Sequence, residues 1–230
     1  MTERGGYGQF CPISMAAEVL CTRWTVLLLR EFLCGSTRFN DLRRGVPKMS
    51  PTLLSKRLKE LERAGVVRVM TSDKGVDEYH LTASGEDLRT LVMAIGTWGQ
   101  RWVESRLSLR NLDPSLLMWD MRRNLDPRPF PEQRCTVHFQ YPEISGAFQN
   151  WWLVVEKATV DMCSFDPGYE IDLLVSGSLR SMTSVWMGVS NLAQEISAGK
   201  LSVEGDPRLV KAMPLWLGLS PFAKDVRRVA

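Results

Sequence analysis

The stretch from Met49 to Gly65, MSPTLLSKRLKELERAG, restricts the fold of this chain more than any other. Ser50 has the kind of side chain preferred at a helix N-cap, and Pro51 falls at the first helical position, where its missing N–H costs nothing. Gly65 can take the left-handed conformation that ends a helix, and residues 66–70 then have the composition of a strand. The pattern therefore predicts one helix that begins at Ser50 and turns directly into a strand.

The two sides of this helix differ in character. At about 100° per residue, three leucines fall on one stripe that is suited to packing. The members of this stripe are Leu54, Leu58 and Leu61. The opposite stripe is short, polar and basic, and it consists of Thr52, Ser55, Lys56, Lys59 and Arg63. A charged stripe is usually a solvated surface, so the surrounding sequence must decide whether this one contacts a partner.

A second short helix and a tight turn precede this helix. Residues 38–44 (RFNDLRR) predict a helix with Phe39 and Leu42 facing inward, and residues 45–47 (GVP) predict a turn. Two short helices joined in this way, the second with a basic outer face, are typical of a helix-turn-helix that enters the major groove of DNA. Residues 36–74 contain 10 Lys or Arg and 4 Asp or Glu, whereas the whole chain has a net charge of only +3. This local excess is expected of a phosphate-binding face.

A hairpin and a long helix follow. Residues 66–81 predict a hairpin with Lys74 at its polar tip, which would form a wing beside the two helices. The spacing of apolar residues then predicts a helix over residues 82–109. The aromatic second half of this helix has no obvious partner within so small a domain, which suggests a contact with a second copy of the chain. The residues that we expect in that contact are Ile95, Trp98 and Trp102.

In order and spacing, the segments RWTVLLLREFL, RFNDLRR, MSPTLLSKRLKELERAGVV and EYHLTASG resemble the HxlR-type winged helix-turn-helix regulators, over residues 9–105. The resemblance implies a homodimer that binds double-stranded DNA and uses the helix from Ser50 as its recognition helix. The residues that we expect at the DNA are Arg38, Ser50, Thr52, Ser55, Lys56, Arg57, Lys59 and Lys74.

The expected roles of these residues differ. Thr52, Ser55 and Arg57 fall in the first half of the recognition helix, where side chains approach base edges. Lys56 and Lys59 are expected mainly to attract phosphates.

A second region follows a connector with several prolines. Residues 109–131 contain one predicted helical segment and end in the stiff stretch PRPFP. Beyond it, alternation predicts four strands, interpreted as antiparallel, at residues 133–141, 148–156, 159–165 and 169–176. Helices are predicted at 178–187, 191–197 and 207–213, around a short strand at 200–204.

This order of elements, with the segments SGSLRSMTSVWMG and AGKLSVEGD, resembles the sterol-carrier-protein-like domain over residues 132–222. The resemblance implies a sheet covered by helices around an apolar tunnel. The candidates for its lining are Phe139, Trp151, Trp152, Trp186, Met187 and Trp216. Aromatic residues belong more often to a core than to a ligand site, so core packing is the alternative for each of these side chains.

The predicted fold class is therefore α+β. Residues 1–108 are predicted to form a winged helix-turn-helix domain for DNA binding and dimerisation, and residues 109–131 a connector. Residues 132–230 are predicted to form an α/β sandwich-like domain of the sterol-carrier-protein type, an antiparallel sheet covered by helices.

The five cysteines are scattered, without a CxxC motif or a Cys/His cluster, which indicates neither a disulfide framework nor a metal site. Cys11 falls where several of the resembled regulators carry an oxidation-responsive thiol, so it is a redox candidate. An inert cysteine is the alternative, because no cation lies within one turn of it to lower its pKa. The sequence lacks a signal-peptide pattern and a long apolar run, so we expect a cytoplasmic protein without membrane contact.

The sequence contains no P-loop, GxGxxG or GxSxG motif, and Cys135 and His138 would point to opposite faces of a strand. We therefore predict no enzymatic activity and no cofactor. The predicted function is that of a DNA-binding transcriptional regulator controlled by a small apolar ligand in the C-terminal domain. The alternatives are a carrier of lipids or apolar metabolites, and a regulator that responds to thiol oxidation at Cys11.

Overall fold

The computed structural model of the chain describes residues 6–73, 75–104, 110 and 112–229. The chain divides into two compact units, residues 1–95 and residues 96–230. The sequence suggests a later boundary, after residue 108, and a separate connector that extends to residue 131.

The first unit consists of helices and one hairpin. Its elements are α1 (Pro12–Leu20), α2 (Thr25–Leu33), α3 (Phe39–Gly45), α4 (Pro51–Arg63), β1 (Val67–Thr71), β2 (Asp77–Leu81), α5 (Ala83–Asp87) and the start of α6 (Arg89–Trp102). The two strands pair antiparallel, with Val67 opposite Leu81. The predicted helix-turn-helix and its wing hairpin are therefore confirmed as elements of the fold.

Helix α2 contributes to the core of the first unit. Leu28, Leu29 and Phe32 are buried there with leucines from α3 and α4. Of the described helices, none is by itself long and apolar enough to cross a membrane. The pair α1 and α2 reaches that length and composition together, but the two helices meet at a bend of 82°.

The predicted long helix is interrupted at Leu88. The Thr82 hydroxyl caps α5 by accepting from the Gly85 amide at 3.2 Å. The Leu88 amide then bonds to the Gly85 carbonyl at 3.2 Å, a spacing of three residues that tightens the last turn. Helix α6 starts directly afterwards and ends at Trp102, while the predicted continuation over residues 105–109 lies outside the described residues.

The second unit is a five-stranded sheet with helices. After the end of α6, its elements are α7 (Pro114–Asn124), β3 (Cys135–Gln140), a short 3-10 turn (Gly146–Phe148), β4 (Asn150–Glu156), β5 (Thr159–Cys163), β6 (Leu173–Gly177), α8 (Leu179–Trp186), α9 (Leu192–Ser197), β7 (Leu201–Gly205) and α10 (Pro207–Trp216). The strand order across the sheet is β5-β4-β3-β6-β7.

The prediction that this sheet is antiparallel is wrong for its central pair. Strands β3 and β6 run parallel, with Val137 opposite Leu173, whereas the other neighbouring pairs are antiparallel. The cause is that β4 and β5 occupy one side of β3, so that the chain crosses over in residues 164–172 and returns on the other side of β3. Alternation of apolar residues specifies the faces of a strand but not the direction of its neighbour.

Helix α7 contributes to the core of the second unit. Its Leu117, Met118 and Met121 are buried against the strands, and Phe130 from the following segment packs in the same core. The segment predicted to be a connector is therefore an integral part of the second unit. A few apolar residues among prolines and charges do not show from sequence alone that a segment is buried.

Candidate nucleic-acid interface

Helix α4 is fixed by its cap and its leucine seam. The Ser50 hydroxyl accepts from the Leu53 amide at 3.3 Å, which satisfies one of the free donors at the helix start. The seam residues Leu54, Leu58 and Leu61 are at most 2% exposed. Together, the cap and the seam determine which side of α4 faces solvent.

The opposite side of α4 is exposed over its whole length. Its exposed residues are Thr52, Ser55, Lys56, Lys59 and Arg63. Two short hydroxyl side chains near the helix start are followed by three cations, so the surface offers hydrogen-bonding groups first and positive charge further along. This combination suits a duplex, in which base edges are read by small polar groups and phosphates by cations.

Arg57 does not belong to this surface. It lies about 140° around the helix from Thr52, and only 14% of its side chain is exposed. Its Nε donates to the Arg23 carbonyl at 3.2 Å, and its Nη1 bonds to Glu60 on the next turn. The sequence places Arg57 near base edges, whereas the structure shows it holding α4 against the turn between α1 and α2.

Arg38 and Ser50 lie beside the surface. Arg38 is exposed at the start of α3, and its Nε donates to Glu78 Oε1 on the wing at 3.3 Å. Its backbone also forms a bridge with Glu78, so the hairpin is tied to the start of the helix-turn-helix. Ser50 is exposed as well, although its hydroxyl already serves as the cap of α4.

A buried ion pair fixes the turn that leads into α4. Glu31 is 0% exposed, and Arg30 Nη2 donates both to its carboxylate at 2.7 Å and to the Gly45 carbonyl at 2.8 Å. A Cβ at Gly45 would lie 1.9 Å from this carboxyl group, so only glycine fits at this position. Sequence patterns did not identify Glu31, because its role depends on a contact 14 residues along the chain.

Further cations lie near the same helices. Arg43, Arg44 and Lys48 are exposed at the end of α3 and in the turn that follows it. The first helix of a helix-turn-helix crosses the phosphate backbone, so these positions are candidates for phosphate contacts. The local excess of positive charge in residues 36–74 was the sequence signal that included them. Lys74, the predicted wing-tip contact, lies outside the described residues.

The candidate ligand residues of the second unit lie on two faces of the sheet. Phe139, Trp151, Trp186 and Trp216 belong to the buried core, and the half-buried Met187 packs against that core. Trp152 lies on the other face, where its ring stacks on His138 at 4.7 Å between centroids. Adjacent residues of a strand point to opposite faces, so Trp151 and Trp152 cannot line one cavity.

Two of the core-facing tryptophans have side-chain hydrogen-bond partners as well as apolar neighbours. Trp151 Nε1 donates to the Phe148 carbonyl at 2.9 Å, and Trp216 Nε1 donates to the Leu209 carbonyl at 2.9 Å. The Trp216 ring also packs against Phe130 at 5.3 Å. Both indoles are therefore held in defined orientations.

The cysteines have contrasting surroundings. Cys11 is half-buried directly before α1, and its carbonyl accepts from the Ser14 hydroxyl at 2.9 Å. Cys21 and Cys34 are exposed, whereas Cys135 is buried in the core of the second unit. Burial, with the neighbouring Asp172 carboxylate, raises the pKa of the Cys135 thiol to about 12. The redox role of Cys11 stays a prediction.

Comparisons with known proteins agree with the first unit. Residues 19–107 match the model of the HxlR-like helix-turn-helix family. The uncharacterized HTH-type transcriptional regulator YvaP of Bacillus subtilis is 35% identical over 99 residues, which are 42% of this chain and 92% of YvaP. The uncharacterized HTH-type transcriptional regulator YdeP of the same organism is 31% identical over 94 residues, which are 40% of this chain and 73% of YdeP.

Among solved structures, the redox regulator HypR in its reduced form is 30% identical, with a TM-score of 0.36, and the match covers 39% of this chain and 91% of HypR. The reduced form of the transcriptional regulator YodB from Bacillus subtilis is 27% identical, with a TM-score of 0.36, over 40% of this chain and 93% of YodB.

Proposed function

The chain belongs to the HxlR-like helix-turn-helix family of transcriptional regulators, and from that premise we propose that α4 is its recognition helix. The observation that carries this proposal is the exposed polar and basic side of α4 opposite a buried leucine seam. Lys56 and Lys59 attract phosphates, while Thr52 and Ser55 lie nearest the base edges. Arg57 braces the helix from behind and does not contact DNA.

The protein acts on DNA as a homodimer. Along one side of α6, Leu91, Ile95, Trp98 and Trp102 are 45%, 45%, 62% and 48% exposed. Residues spaced in this way form one stripe, and an exposed apolar stripe of this length is typical of an interaction surface. Two copies that pair through the same stripe form an isologous contact and present two recognition helices to two half-sites.

A groove in the first unit adjoins the stripe and shares Leu91 and Ile95 with it. It has a volume of about 580 Å³ and is lined by apolar side chains of α1, α2 and the first turns of α6. Ile13 on the groove wall is 79% exposed, and Phe10, three residues earlier in the chain, is 98% exposed. A second copy of the chain would bury these side chains, which supports the dimer.

The C-terminal unit acts as a sterol-carrier-protein-like receptor for a small apolar ligand. Its support is the sheet covered by helices and the aromatic cluster formed by Phe139, Trp151, Trp186 and Trp216 on one face of that sheet. Met187 lies beside this cluster. Trp152 belongs to the other face and is not part of the proposed site. A ligand controls DNA binding only if it binds the two states of the protein with different affinity.

A gel shift with the DNA directly upstream of the protein's own gene tests the proposal. Wild-type protein should shift this fragment, and affinity should fall steeply between roughly 50 and 200 mM salt. The double variant Lys56→Ala/Lys59→Ala should bind more weakly, whereas the control Lys211→Ala, an exposed lysine on α10, should bind like wild type. If the double variant binds the upstream DNA as tightly as wild type, α4 is not the recognition helix. An apolar ligand retained by a protein that binds no upstream DNA would favour the carrier.

A further inference from the structure

The segment after α10 packs against the second half of α6, entirely within the second unit. The Phe222 ring lies against the backbone of Gly96, where an added Cβ would be 2.2 Å from the ring. Asp225 accepts from the Thr97 hydroxyl at 3.2 Å and from Arg101 Nη2 at 2.7 Å. We call residues 220–228 the C-terminal clasp.

The clasp continues along the helix with main-chain and side-chain bonds. The Arg228 amide donates to the Arg101 carbonyl at 2.8 Å, and Arg227 Nη1 donates to the Val103 carbonyl at 3.0 Å. The Arg101 carbonyl lies in the last turn of α6, and the Val103 carbonyl follows directly after the helix, in the region where a helix has no carbonyl partners of its own. The clasp therefore donates two hydrogen bonds to carbonyls at the C-terminal end of α6.

The same clasp also contacts the end of α8. The Ser220 amide donates to the Trp186 carbonyl at 3.0 Å, and the backbone of Ala223 lies so close to Gly188 that a Cβ there would be 2.4 Å from the Ala223 oxygen. A direct bond joins the two helices as well, because the buried Gln100 donates from Nε2 to the Met187 carbonyl at 2.9 Å. The end of α8 is thus connected to α6 both directly and through the clasp.

Most of the clasp contacts lie away from the apolar stripe of α6, while the Arg228 guanidinium reaches the stripe and lies 5.8 Å from the centre of the Trp102 ring. At about 100° per residue, the positions of Gly96, Thr97 and Arg101 centre about 130° from those of Trp98 and Trp102. A change in the clasp would therefore alter the support behind the tryptophans that we assign to the dimer.

We propose that the C-terminal clasp transmits the state of the second unit to the dimer helix. Ligand bound beside Trp186 and Met187 changes the end of α8, the clasp responds through its bonds to Trp186 and Gly188, and α6 gains or loses its support. The inference rests on the proposed function, because it takes the dimer stripe and the ligand cluster from there.

The full chain carrying Asp225→Ala tests the clasp, with Lys224→Ala, an exposed neighbour in the same segment, as the matched control. Loss of the charge-assisted bond to Arg101 should speed hydrogen exchange of the amides of residues 97–103 by about tenfold or more. The dissociation constant of the dimer, measured by sedimentation, should rise by about tenfold, and affinity for the upstream DNA should fall. The control should match wild type in all three measurements.

A charge swap separates a specific link from general damage. Arg101→Asp and Asp225→Arg should each weaken the dimer, and the double variant Arg101→Asp/Asp225→Arg should recover most of the loss. If Asp225→Ala fails to fold, the test uses this double variant and Gly96→Ala instead. Gly96→Ala breaks the Phe222 contact from the helix side, and its dimer should also be weaker than that of wild type.

If Asp225→Ala leaves the hydrogen exchange of residues 97–103 unchanged, the clasp does not support α6 and the proposal is wrong. Faster exchange with an unchanged dimer and unchanged DNA affinity would overturn its regulatory role. If wild-type protein shifts no upstream DNA, the proposed function fails, while exchange and sedimentation still decide the clasp.

Discussion

A binding surface is easier to recognise on helix α4 than on strand β4. On α4 the cations and hydroxyls are exposed opposite a buried seam, so the side available to a partner is visible from the structure. On β4 the adjacent Trp151 and Trp152 are both nearly buried, one in the core and one stacked on His138. Exposed polar groups mark a surface that is free to bind, whereas buried aromatics look the same in a filled core and in a ligand site.

The largest effect that tests this comparison is expected from Trp216→Ala. If Trp216 is core, the variant loses about 3–5 kcal/mol of unfolding free energy, because a large buried side chain leaves a cavity. Urea denaturation measures the loss, and Leu215→Ala, which removes a neighbour that is 71% exposed, is the control. If Trp216→Ala loses no more unfolding free energy than the control, Trp216 lines an existing cavity and is not part of a filled core.

Gly45→Ala should produce the next largest effect. The added methyl group would collide with the buried Glu31 carboxylate, so we expect a loss of about 1–3 kcal/mol in the first unit. Gly99→Ala is the control, because a Cβ at Gly99 meets nothing within 4 Å, and the change should stabilise its helix by about 1 kcal/mol. Equal stability of both variants would show that the turn before α4 adapts easily.

A smaller effect separates two neighbouring cations of α4. Lys59→Ala should lower the slope of log affinity against log salt by about one, because one phosphate contact is lost. Arg57→Ala should leave the slope unchanged and reduce thermal stability, since it removes the bonds to Arg23 and Glu60. The opposite result, a changed slope for Arg57→Ala alone, would return Arg57 to the DNA-binding surface.

The smallest expected effect is spectroscopic, because it follows one of the eight tryptophans. Oleic acid should quench the tryptophan fluorescence of wild type and of Trp152→Phe by the same absolute amount if the site lies on the core side of the sheet. Trp151→Phe should reduce that quenching. If Trp152→Phe alone abolishes it, the ligand binds on the other face, beside His138.

The elements of the first unit could be predicted from the sequence better than those of the second, for a physical reason. Caps and helical periodicity are local signals, and those around Ser50 and Gly65 predicted α4 and its turn into β1 correctly. The partner of Arg57 is the carbonyl of Arg23, 34 residues away, and no local pattern contains such a contact. The opposite directions of Trp151 and Trp152, by contrast, follow from strand geometry and could have been predicted.

The parallel pair at the centre of the second sheet affects the order in which the chain can fold. Strands β3, β4 and β5 are joined by short connections and can pair as soon as each is complete, which takes little loop-closure entropy. Strand β6 can pair with β3 only after β4 and β5 have been synthesised, because it follows both in the chain. Until then one edge of β3 has unpaired backbone groups beside buried side chains such as Phe139. During synthesis, this open edge is a place where the growing chain is exposed to aggregation.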